Sequence, residues 1–522
     1  MVTSCIFGTE TELALVVESK GVVRPAPREL ASAIIEDVAN RYAHATSATS
    51  PPTQHRLFLA NGACVYADIG GHPEIASAEC SNPIDLVSQT LALRQMLAKS
   101  TERIANVYGL PIRLIANNVD YAFRGAQSYG YHLNILARGF TLDQVCDQVA
   151  AQLASLLAAM PIVSGTGKVS FVTGSPGFEI SQRAQYMAMV TGKQTTDSRA
   201  MITAKDEALC DNGIRVHLIC FDTPKNPYQI ALIPSIIAMA LKAIESGKDI
   251  AGPVTLADPI RALHTVSCDL SLSAKLSLKH GGATTALEIH QHYIRVIREF
   301  LEQVESPEWM KQMLTLWKEV IDNLRRDSFS EGRLDWIAKL LLFTNQLQKN
   351  KLDWRQYSKW PYVLAAIRRF MNEGWISDPV RLTKTVRQRE AIRHSALGTL
   401  EGYLAKHGIS WEDFEEVWIA CNKMCKQCLD YHRLTAEVAY QIDTKEVLTP
   451  LVTEEMIDKA RTLPPTGTRA TIRGEAIRNS QRGATADWTF VQQGDRRLVM
   501  TDVYGRNASW KEQQQSVRKE NQ

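Results

Sequence analysis

Two glutamates separated by one residue lie inside an apolar run near the start of the chain. The run extends from Cys5 to Val17 and contains Glu10 and Glu12. Its apolar character predicts a buried strand, and side chains alternate along a strand, so both carboxylates face one side about 6–7 Å apart. Neighbouring carboxylates in an apolar setting need a positive group between them. We therefore expect them to share divalent cations or, if the strand is a sheet edge, to face water.

Composition limits the classes of protein to consider. The 522 residues predict two or three domains with a large core, and 45% apolar and 22% charged residues are typical of a globular protein. A net charge of +3 gives no basis for a nucleic-acid partner. No uncharged apolar segment reaches the length of a membrane span, and no secretory signal is recognisable, so we expect no membrane partner. The ten cysteines are scattered, which favours a reducing cytoplasm.

Hydrophobic patterning predicts an α+β fold in which helices back a sheet. Arg56 to Leu59, the Asn61-Gly62 turn and Cys64 to Asp68 are typical of a β-hairpin. Helices are predicted at 25–43, 83–106, 141–159, 229–247 and 284–305, and strands at 111–117, 129–137, 168–173 and 213–221.

Further polar residues recur on later strands. One block carries Asp68, Glu74 and Glu79; the next strand has His132 and Asn134 on one face; another pairs Arg215 with His217. Taken singly, His132 would be a hydrogen-bonded core histidine, Glu74 a turn cap and Arg215 the cover of a sheet edge. Together they provide oxygen and imidazole ligands that suit Mg²⁺ or Mn²⁺ bound to nucleotide phosphates. The sequence has no glycine-rich phosphate loop of the GxxxxGK[ST] or GxGxxG type.

These residues, in this order, resemble the glutamine synthetase-like carboxylate–amine ligases. Within that group the chain is most similar to the family of Pup ligase (proteasome accessory factor A) and the depupylase/deamidase Dop. The resemblance covers most of residues 5–345 and 433–490. It is carried by Gly8–Glu12, Asn61–Cys80, Ser128–Asn134, Ser181–Ala184, Thr195–Asp211, Asp258–Ala262, Leu334–Trp336 and Thr468–Glu475.

The resemblance implies a glutamine synthetase-like concave antiparallel sheet that binds ATP with Mg²⁺, or Mn²⁺. In the ligase, the γ-carboxylate of a C-terminal glutamate is phosphorylated and a lysine amine attacks the acyl phosphate to give an isopeptide bond. Asp68 matches the acid that helps to deprotonate the amine, or that acts in the depupylase as nucleophile or as base for water. The implied metal ligands are Glu10, Glu12, Glu74, Glu79, His132 and His217; the implied nucleotide or phosphate contacts are Asn134, Arg199, Arg215 and Arg473; the implied substrate contacts are Arg183 and Lys205.

The chain departs from the family pattern at several positions. Leu133 stands where the family strand has glutamate, Lys205 replaces an arginine, and Ile214 replaces another. Because a lysine lacks the bidentate grip of arginine, we expect the donor to be a Pup-like protein, another small acidic protein or peptide, or a small carboxylate. The acceptor would be a lysine or a small amine. The short segment 44–56 resembles the ligase, since Dop has a long insertion there.

Three domains are predicted: a catalytic domain at 1–345, a family-atypical helical insertion at 346–432, and a small C-terminal domain with a polar tail at 433–522. A basic stretch from Arg381 to Arg393 is either a solvated helix face or a docking surface for an acidic partner. Cys421, Cys425 and Cys428 share one helix face and either pack in an apolar core or hold a metal.

Two rival functions remain open. The same site could act as an amidase or deamidase that uses nucleotide as a cofactor. Alternatively, the chain could be a non-catalytic descendant that binds a peptide through the helical insertion. The presence of Asp68 and of the glutamates implied as metal ligands argues against a non-catalytic role.

Overall fold

The fold is described from a computed structural model, which covers most of the chain. The residues described are 5–17, 25–49, 55–119, 128–170, 177–192, 198–203, 210–211, 213–326, 332–349, 352, 362–363, 397–434, 450–480 and 483–512.

Most strands are short. In chain order they are β1 Phe7–Glu12, β2 Ala14–Val17, β3 His44–Ser47, β4 Arg56–Leu59, β5 Cys64–Ala67, β6 Pro73–Ala76, β7 Ile112–Ile115, β8 Tyr131–Ala137, β9 Lys168–Val169, β10 Phe178–Glu179, β11 Met187–Gly192, β12 Arg199–Thr203, β13 Ile214–Leu218, β14 Leu276–Ser277, β15 Ala283–Thr284, β16 Thr485–Ala486, β17 Phe490–Gln493, β18 Arg496–Val499 and β19 Ser509–Glu512.

The helices alternate with these strands and dominate the second half of the chain. They are α1 Pro27–Ala39, α2 Pro83–Tyr108, α3 Leu142–Gln144, α4 Ala150–Ala159, α5 Pro161–Ser164, α6 Pro227–Glu245, α7 Pro259–Cys268, α8 Ala286–Gln303, α9 Glu308–Arg326, α10 Asp335–Lys349, α11 Leu397–Lys406, α12 Trp411–Tyr431, α13 Glu454–Thr462 and α14 Arg469–Arg478.

One large mixed sheet organises the described part of the molecule. Its strand order is β11-β12-β13-β8-β1-β6-β5-β4-β3-β16-β17-β18-β19. The pairs are antiparallel except β11–β12 and β16–β3, which are parallel. Strand β1 lies between β6 and β8, with Glu12 opposite Glu74 and Glu10 opposite His132. The α+β class predicted from the sequence is therefore confirmed, and β1 is an interior strand rather than a sheet edge.

Local sequence signals explain the elements around this sheet. The predicted hairpin is formed by β4 and β5, and Gly62 takes the positive φ of +84° that its turn requires. Helix α2 starts after Asn82, whose side chain accepts a hydrogen bond from the amide of Asp85, and ends at Gly109 in the left-handed conformation. The helix predicted at 141–159 is interrupted by a π-helical turn at Val145–Val149.

Helix α6 lies in the centre of the helical layer. Among the described residues it is the one helix long and apolar enough to pass for a membrane span, a property that the sequence analysis assigned to no segment. In the fold, 89% of the most apolar stretch of this helix is buried. Its apolar side chains therefore pack in the hydrophobic core.

The C-terminal strands extend the main sheet. Strand β16 pairs with β3, and β17 to β19 continue outward from it. Strands β16 to β19 therefore belong to the same sheet as the first strands of the chain. The predicted division into three domains stays a prediction.

The three cysteines of α12 are buried in the main hydrophobic core. Cys428 on α12 contacts α10, where the Nζ of Lys339 lies 3.2 Å from its Sγ. Among the described residues, the group of side chains close enough to hold a metal lies elsewhere and contains no cysteine. This arrangement favours apolar packing for Cys421, Cys425 and Cys428. The predicted basic stretch around Arg381 to Arg393 lies outside the described residues.

A buried histidine makes the stability of the core sensitive to pH. His290 accepts a hydrogen bond from Trp317 and contacts the carbonyl of Ala159, and burial lowers its pKa from 6.5 to about 4. Between these values the unfolded chain binds the proton that folded His290 excludes, so stability falls as the pH falls through this window. We expect a loss of up to about 3 kcal/mol.

The pH dependence can be measured by chemical denaturation of the wild type and of His290→Gln between pH 7 and pH 4. The substituted chain should show a shallower slope, because glutamine does not titrate. His280→Gln, at an exposed turn, should keep the wild-type slope. Equal slopes for the wild type and His290→Gln would contradict the prediction.

Candidate functional site

One face of β1 and its neighbouring strands gathers a carboxylate and two imidazoles. The even-numbered residues of β1 are half-buried and the odd-numbered ones buried, so Glu10 points to the open face. Its Oε2 lies 3.2 Å from Nδ1 of His132 on β8 and 3.5 Å from Nε2 of His217 on β13. Single ligand atoms of these three residues lie within 4.8 Å of one another. Three strands that are far apart in the sequence but neighbours in the sheet thus bring ligand atoms close enough together to hold one ion.

The electrostatics of this group favour a charged Glu10 carboxylate, and burial disfavours the protonated form of His217. Burial alone would raise the pKa of Glu10, but hydrogen bonds and charge from His132 and His217 hold it well below its usual value. Burial lowers the pKa of His217 to about 4. The neutral imidazole that results is the form that binds metals. Nε2 of His217 is buried and makes no well-formed hydrogen bond in the described structure; its neighbour is Oε2 of Glu10 at 3.5 Å.

Two more glutamates border this group. Oε2 of Glu12 accepts a hydrogen bond from the amide of Gly130 at 2.6 Å. A side chain at Gly130 would meet Nε2 of His132 at 2.4 Å and Oε1 of Glu12 at 2.9 Å, so a larger residue there would displace these two side chains. Burial and the charges of Glu10 and Glu12 raise the pKa of Glu74 well above its usual value.

The residues present fit divalent cations. The converging group supplies one carboxylate and two imidazoles, and Glu12 and Glu74 lie beside it as further oxygen donors. Burial and the charges of Glu10 and Glu12 disfavour the ionised form of Glu74. A bound cation would offset the repulsion between Glu74 and the charges of Glu10 and Glu12, and Nε2 of His217 could coordinate it. Hard oxygen donors with one or two imidazoles suit Mg²⁺ or Mn²⁺.

A pocket adjoins these residues. It encloses about 640 Å³ of space, part of it open to solvent. Glu10, Asn134 and Arg215 all line this pocket. The Arg215 guanidinium donates to Oδ1 of Asn134 at 3.0 Å and lies 3.8 Å from Glu10. The other walls come from β1, from β8 and from the C-terminal segment, and include Ile6, Gly8, Ser77, Leu136, Arg469, Trp488 and Val503. Ile6, Leu136 and Val503 pack together and form what we call the apolar end of the pocket. Glu10, Asn134 and Arg215 contact one another and form its polar end.

Glu79 lies at the pocket wall beside two arginines. Its carboxylate accepts from Arg469 at 2.8 Å and from Arg473 at 2.5 Å. Burial alone would raise the pKa of Glu79, but Arg473 and Arg469 lower it to about 2. Arg473 also donates to the carbonyl of Gly62 and is fully buried. The metal role predicted for Glu79 and the phosphate role predicted for Arg473 stay predictions; in the described structure their side chains form an ion pair with each other.

Replacing Glu79 tests how much this contact holds α14 against the sheet. Glu79→Gln would leave two buried guanidinium groups without their counter-charge, which costs about 3–5 kcal/mol. We expect a large drop in the midpoint of thermal or urea unfolding. Glu455→Gln removes an exposed partner of Lys459 and should change the midpoint little. Equal midpoints for Glu79→Gln and the wild type would contradict the prediction.

Asp68 lies beyond the end of β5, in the turn that leads to β6. The amide of His72 donates to its Oδ1 at 2.6 Å, and Nδ1 of His72 lies 3.3 Å from its Oδ2. The Asp68 side chain retains 17% exposure. A carboxylate so held is fixed in position and still reachable from solvent.

The remaining predicted residues differ in their placement. Arg183 is buried, and its guanidinium donates to the carbonyls of Ile219 and Tyr129. Arg199 begins β12, with its guanidinium carbon 5.6 Å from the ring centroid of Tyr186. Lys205 lies outside the described residues. The substrate and phosphate roles of all three stay predictions.

Sequence reasoning assigned no role to Arg469, Trp488 or His72, although all three adjoin the site. Arg469 and Trp488 line the pocket, yet the chain separates them from β1 by most of its length. His72 could have been found, because its four-residue spacing from Asp68 across two glycines is typical of a tight connection.

Comparisons with known proteins identify the family of the chain. Residues 5–362 and 395–492 match the sequence model of the family described as Pup-ligase protein. The chain belongs to this family. The unmatched residues 363–394 fall within the predicted insertion, whereas its flanks at 346–362 and 395–432 are matched.

Individual relatives extend the match. A Pup–protein ligase from Acidimicrobium ferrooxidans is 26% identical over 96% of this chain and 95% of its own length. A Pup deamidase/depupylase from Mycolicibacterium smegmatis is 32% identical over 57% of this chain and 60% of its own length.

Two solved structures share the fold. The crystal structure of the complex between the prokaryotic ubiquitin-like protein Pup and its ligase PafA has a TM-score of 0.69 at 22% identity, covering 98% of this chain and 89% of the other. A structure of the Pup ligase PafA in complex with ADP has a TM-score of 0.61 at 23% identity, covering 93% and 92%.

Proposed function

We propose that this chain is an ATP-dependent carboxylate–amine ligase that joins the C-terminal glutamate of Pup, or of a Pup-like protein, to a lysine amine. Membership of the Pup ligase family and the match to named ligases along nearly the whole chain support this reaction. The observation that carries it is the convergence of Glu10, His132 and His217 beside a pocket with an apolar end and a polar end.

The polar end of the pocket is assigned to the triphosphate. Glu10, Glu12, Glu74, His132 and His217 would hold Mg²⁺, or Mn²⁺, and the ions when bound would neutralise charge on the transferring phosphoryl group. Arg215 offers a planar fork to a phosphate, and Asn134 orients it through the hydrogen bond between their side chains. Glu79, Arg199 and Arg473 keep their predicted roles as further candidates.

The apolar end of the pocket is assigned to the base of the nucleotide. Ile6, Leu136 and Val503 supply aliphatic surface there. Trp488 also lines the pocket, beside Arg473. The shape supports a glutamine synthetase-like arrangement, in which the nucleotide lies on the sheet and phosphoryl transfer occurs at the Glu10 side.

Asp68 is assigned as the base for the attacking amine. A lysine ammonium has a pKa near 10, so it must lose a proton before its nitrogen can attack an acyl phosphate. A fixed carboxylate with residual exposure can accept that proton. The nitrogen then forms the amide bond as phosphate leaves. Arg183 and Lys205 keep their predicted roles toward the donor carboxylate.

The reaction is tested by incubating the protein with ATP, Mg²⁺, Pup that ends in glutamate, and a lysine-containing acceptor protein. We expect ADP, phosphate and an isopeptide-linked conjugate that mass spectrometry identifies. Pup lacking its terminal glutamate is the matched control and should give no conjugate. Formation of AMP and pyrophosphate, or no conjugate with any acidic donor, would contradict the proposal.

A second candidate is depupylation or deamidation at the same site. The 32% identity to a Pup deamidase/depupylase over 57% of this chain supports it. Hydrolysis of a preformed Pup conjugate with nucleotide in catalytic amounts would favour this candidate. A stoichiometric requirement for ATP would favour the ligase, which the short segment 44–56 also supports. A cytoplasmic location, with no nucleic acid or membrane partner, is proposed for either activity.

A further inference from the structure

A single histidine holds both oxygens of Asp68. The backbone amide of His72 donates to Oδ1 at 2.6 Å, and its ring Nδ1 lies 3.3 Å from Oδ2. Two donors from one residue therefore restrict both the position and the rotation of the carboxylate. Sequence reasoning gave His72 no role, and the assigned mechanism does not use it.

The connection between Asp68 and His72 is tight. The amide of Asp68 donates to the carbonyl of His72 at 2.9 Å, and the amide of Gly71 donates to the carbonyl of Asp68 at 3.1 Å. A side chain at Gly70 would lie 2.8 Å from the His72 ring and 3.3 Å from Oδ1 of Asp68. The ring therefore packs directly over this turn.

Neighbouring elements hold the turn and the ring in place. Gly71 has a positive φ of +81°, and the Arg28 guanidinium donates to the carbonyl of Ile69 at 2.8 Å. The His72 ring packs edge-to-face on Tyr129, with the ring centroids 5.1 Å apart. Tyr129 is buried and precedes β8, which carries His132. The contact between His72 and Tyr129 thus links the orientation of the Asp68 carboxylate to β8, one of the three strands that carry Glu10, His132 and His217.

We propose that His72 is the positioning residue for the base: it fixes the Asp68 carboxylate so that one oxygen meets the ammonium of the incoming lysine. This inference rests on the proposed role of Asp68. A carboxylate that turns freely meets the amine in the reactive geometry for a small fraction of the time, and a displacement of about 1 Å can lower a rate about 100-fold.

The test compares two amines. Lysine needs a base, whereas hydroxylamine is already unprotonated at neutral pH and captures the acyl phosphate without one. We expect His72→Leu to lower kcat for lysine conjugation about 10- to 100-fold. The KM for ATP and for Pup, and the rate of hydroxamate formation, should change less than about 3-fold, because activation of the donor does not use the His72–Asp68 contact.

Two further variants separate positioning from packing. Asparagine places its amide nitrogen near the position of Nδ1, whereas glutamine places its own near Nε2. His72→Asn should therefore recover most of the lysine conjugation, and His72→Gln should not. Because these variants are compared with each other, the test holds even if His72→Leu fails to fold. His280→Leu, at an exposed turn, is the matched control and should behave as the wild type.

Each contrary result has one meaning. Equal losses with lysine and hydroxylamine, or equal rates for His72→Asn and His72→Gln, would overturn the positioning role. The same assay on Asp68→Asn tests the role on which the inference rests. If Asp68→Asn conjugates lysine at the wild-type rate, the assignment of the base is wrong, and this outcome is distinguishable from a failure of His72 alone.

Discussion

Replacing Glu10 with glutamine is expected to remove Mg²⁺-dependent nucleotide binding and to lower conjugation by at least about 100-fold. Glu10 is the carboxylate that His132 and His217 share, and its pKa is held well below the usual value, so it carries a full charge at neutral pH. Glutamine keeps the size of the side chain but loses that charge. Substitution of groups that merely orient metal ligands already costs about 10- to 100-fold in affinity, and a direct ligand should cost more.

Titration calorimetry of ATP binding at several Mg²⁺ concentrations measures this effect. The wild type should bind ATP more tightly as Mg²⁺ rises, and Glu10→Gln should respond little. Glu302→Gln removes an exposed glutamate from α8 and should leave the response intact. If Glu10→Gln retained the full Mg²⁺ dependence, the cluster on β1, β8 and β13 would not be the metal site.

Asp68→Asn should separate activation of the donor from transfer to the amine. Asparagine preserves the shape and can still accept a hydrogen bond from His72, but it cannot take a proton from an ammonium group. We expect conjugation to lysine to fall about 10²- to 10⁴-fold, the usual contribution of a general base. Hydroxylamine should still capture the activated donor.

Conjugates and hydroxamate are both quantified by mass spectrometry after incubation with ATP, Mg²⁺ and Pup. Asp495→Asn, in an exposed turn between β17 and β18, controls for the loss of one surface charge. Loss of hydroxamate together with the conjugate would place Asp68 in phosphoryl transfer instead. For a depupylase, the same substitution should stop hydrolysis of a preformed conjugate.

The local features of the site could be predicted from sequence because they depend on periodicity. Alternation along β1 placed Glu10 and Glu12 on one face, and the same rule paired Asn134 with His132 on β8. The register that sets Glu10 opposite His132 could not be predicted, since nothing in either segment specifies which strands become neighbours.

Long-range contacts account for the rest. Arg469 reaches Glu79 and the pocket from a helix that no local pattern connects to β1. Arg183 looked like an available cation in the sequence, yet its guanidinium is used by backbone carbonyls in the interior. The residue type alone does not indicate whether a charged side chain will contact a ligand or other groups of the same protein.

The pairing of β16 with β3 has a consequence for biosynthesis. Phe7 and Gly8 leave the ribosome long before Arg469, Trp488 and Val503, although all five line one pocket. A nascent chain therefore exposes the outer edge of β3 and an unfinished cleft throughout most of its translation. Ligand capture, and any stabilisation that follows from it, begins when the last strands have emerged and docked, so occupancy of the cleft reports that synthesis of the sheet is complete.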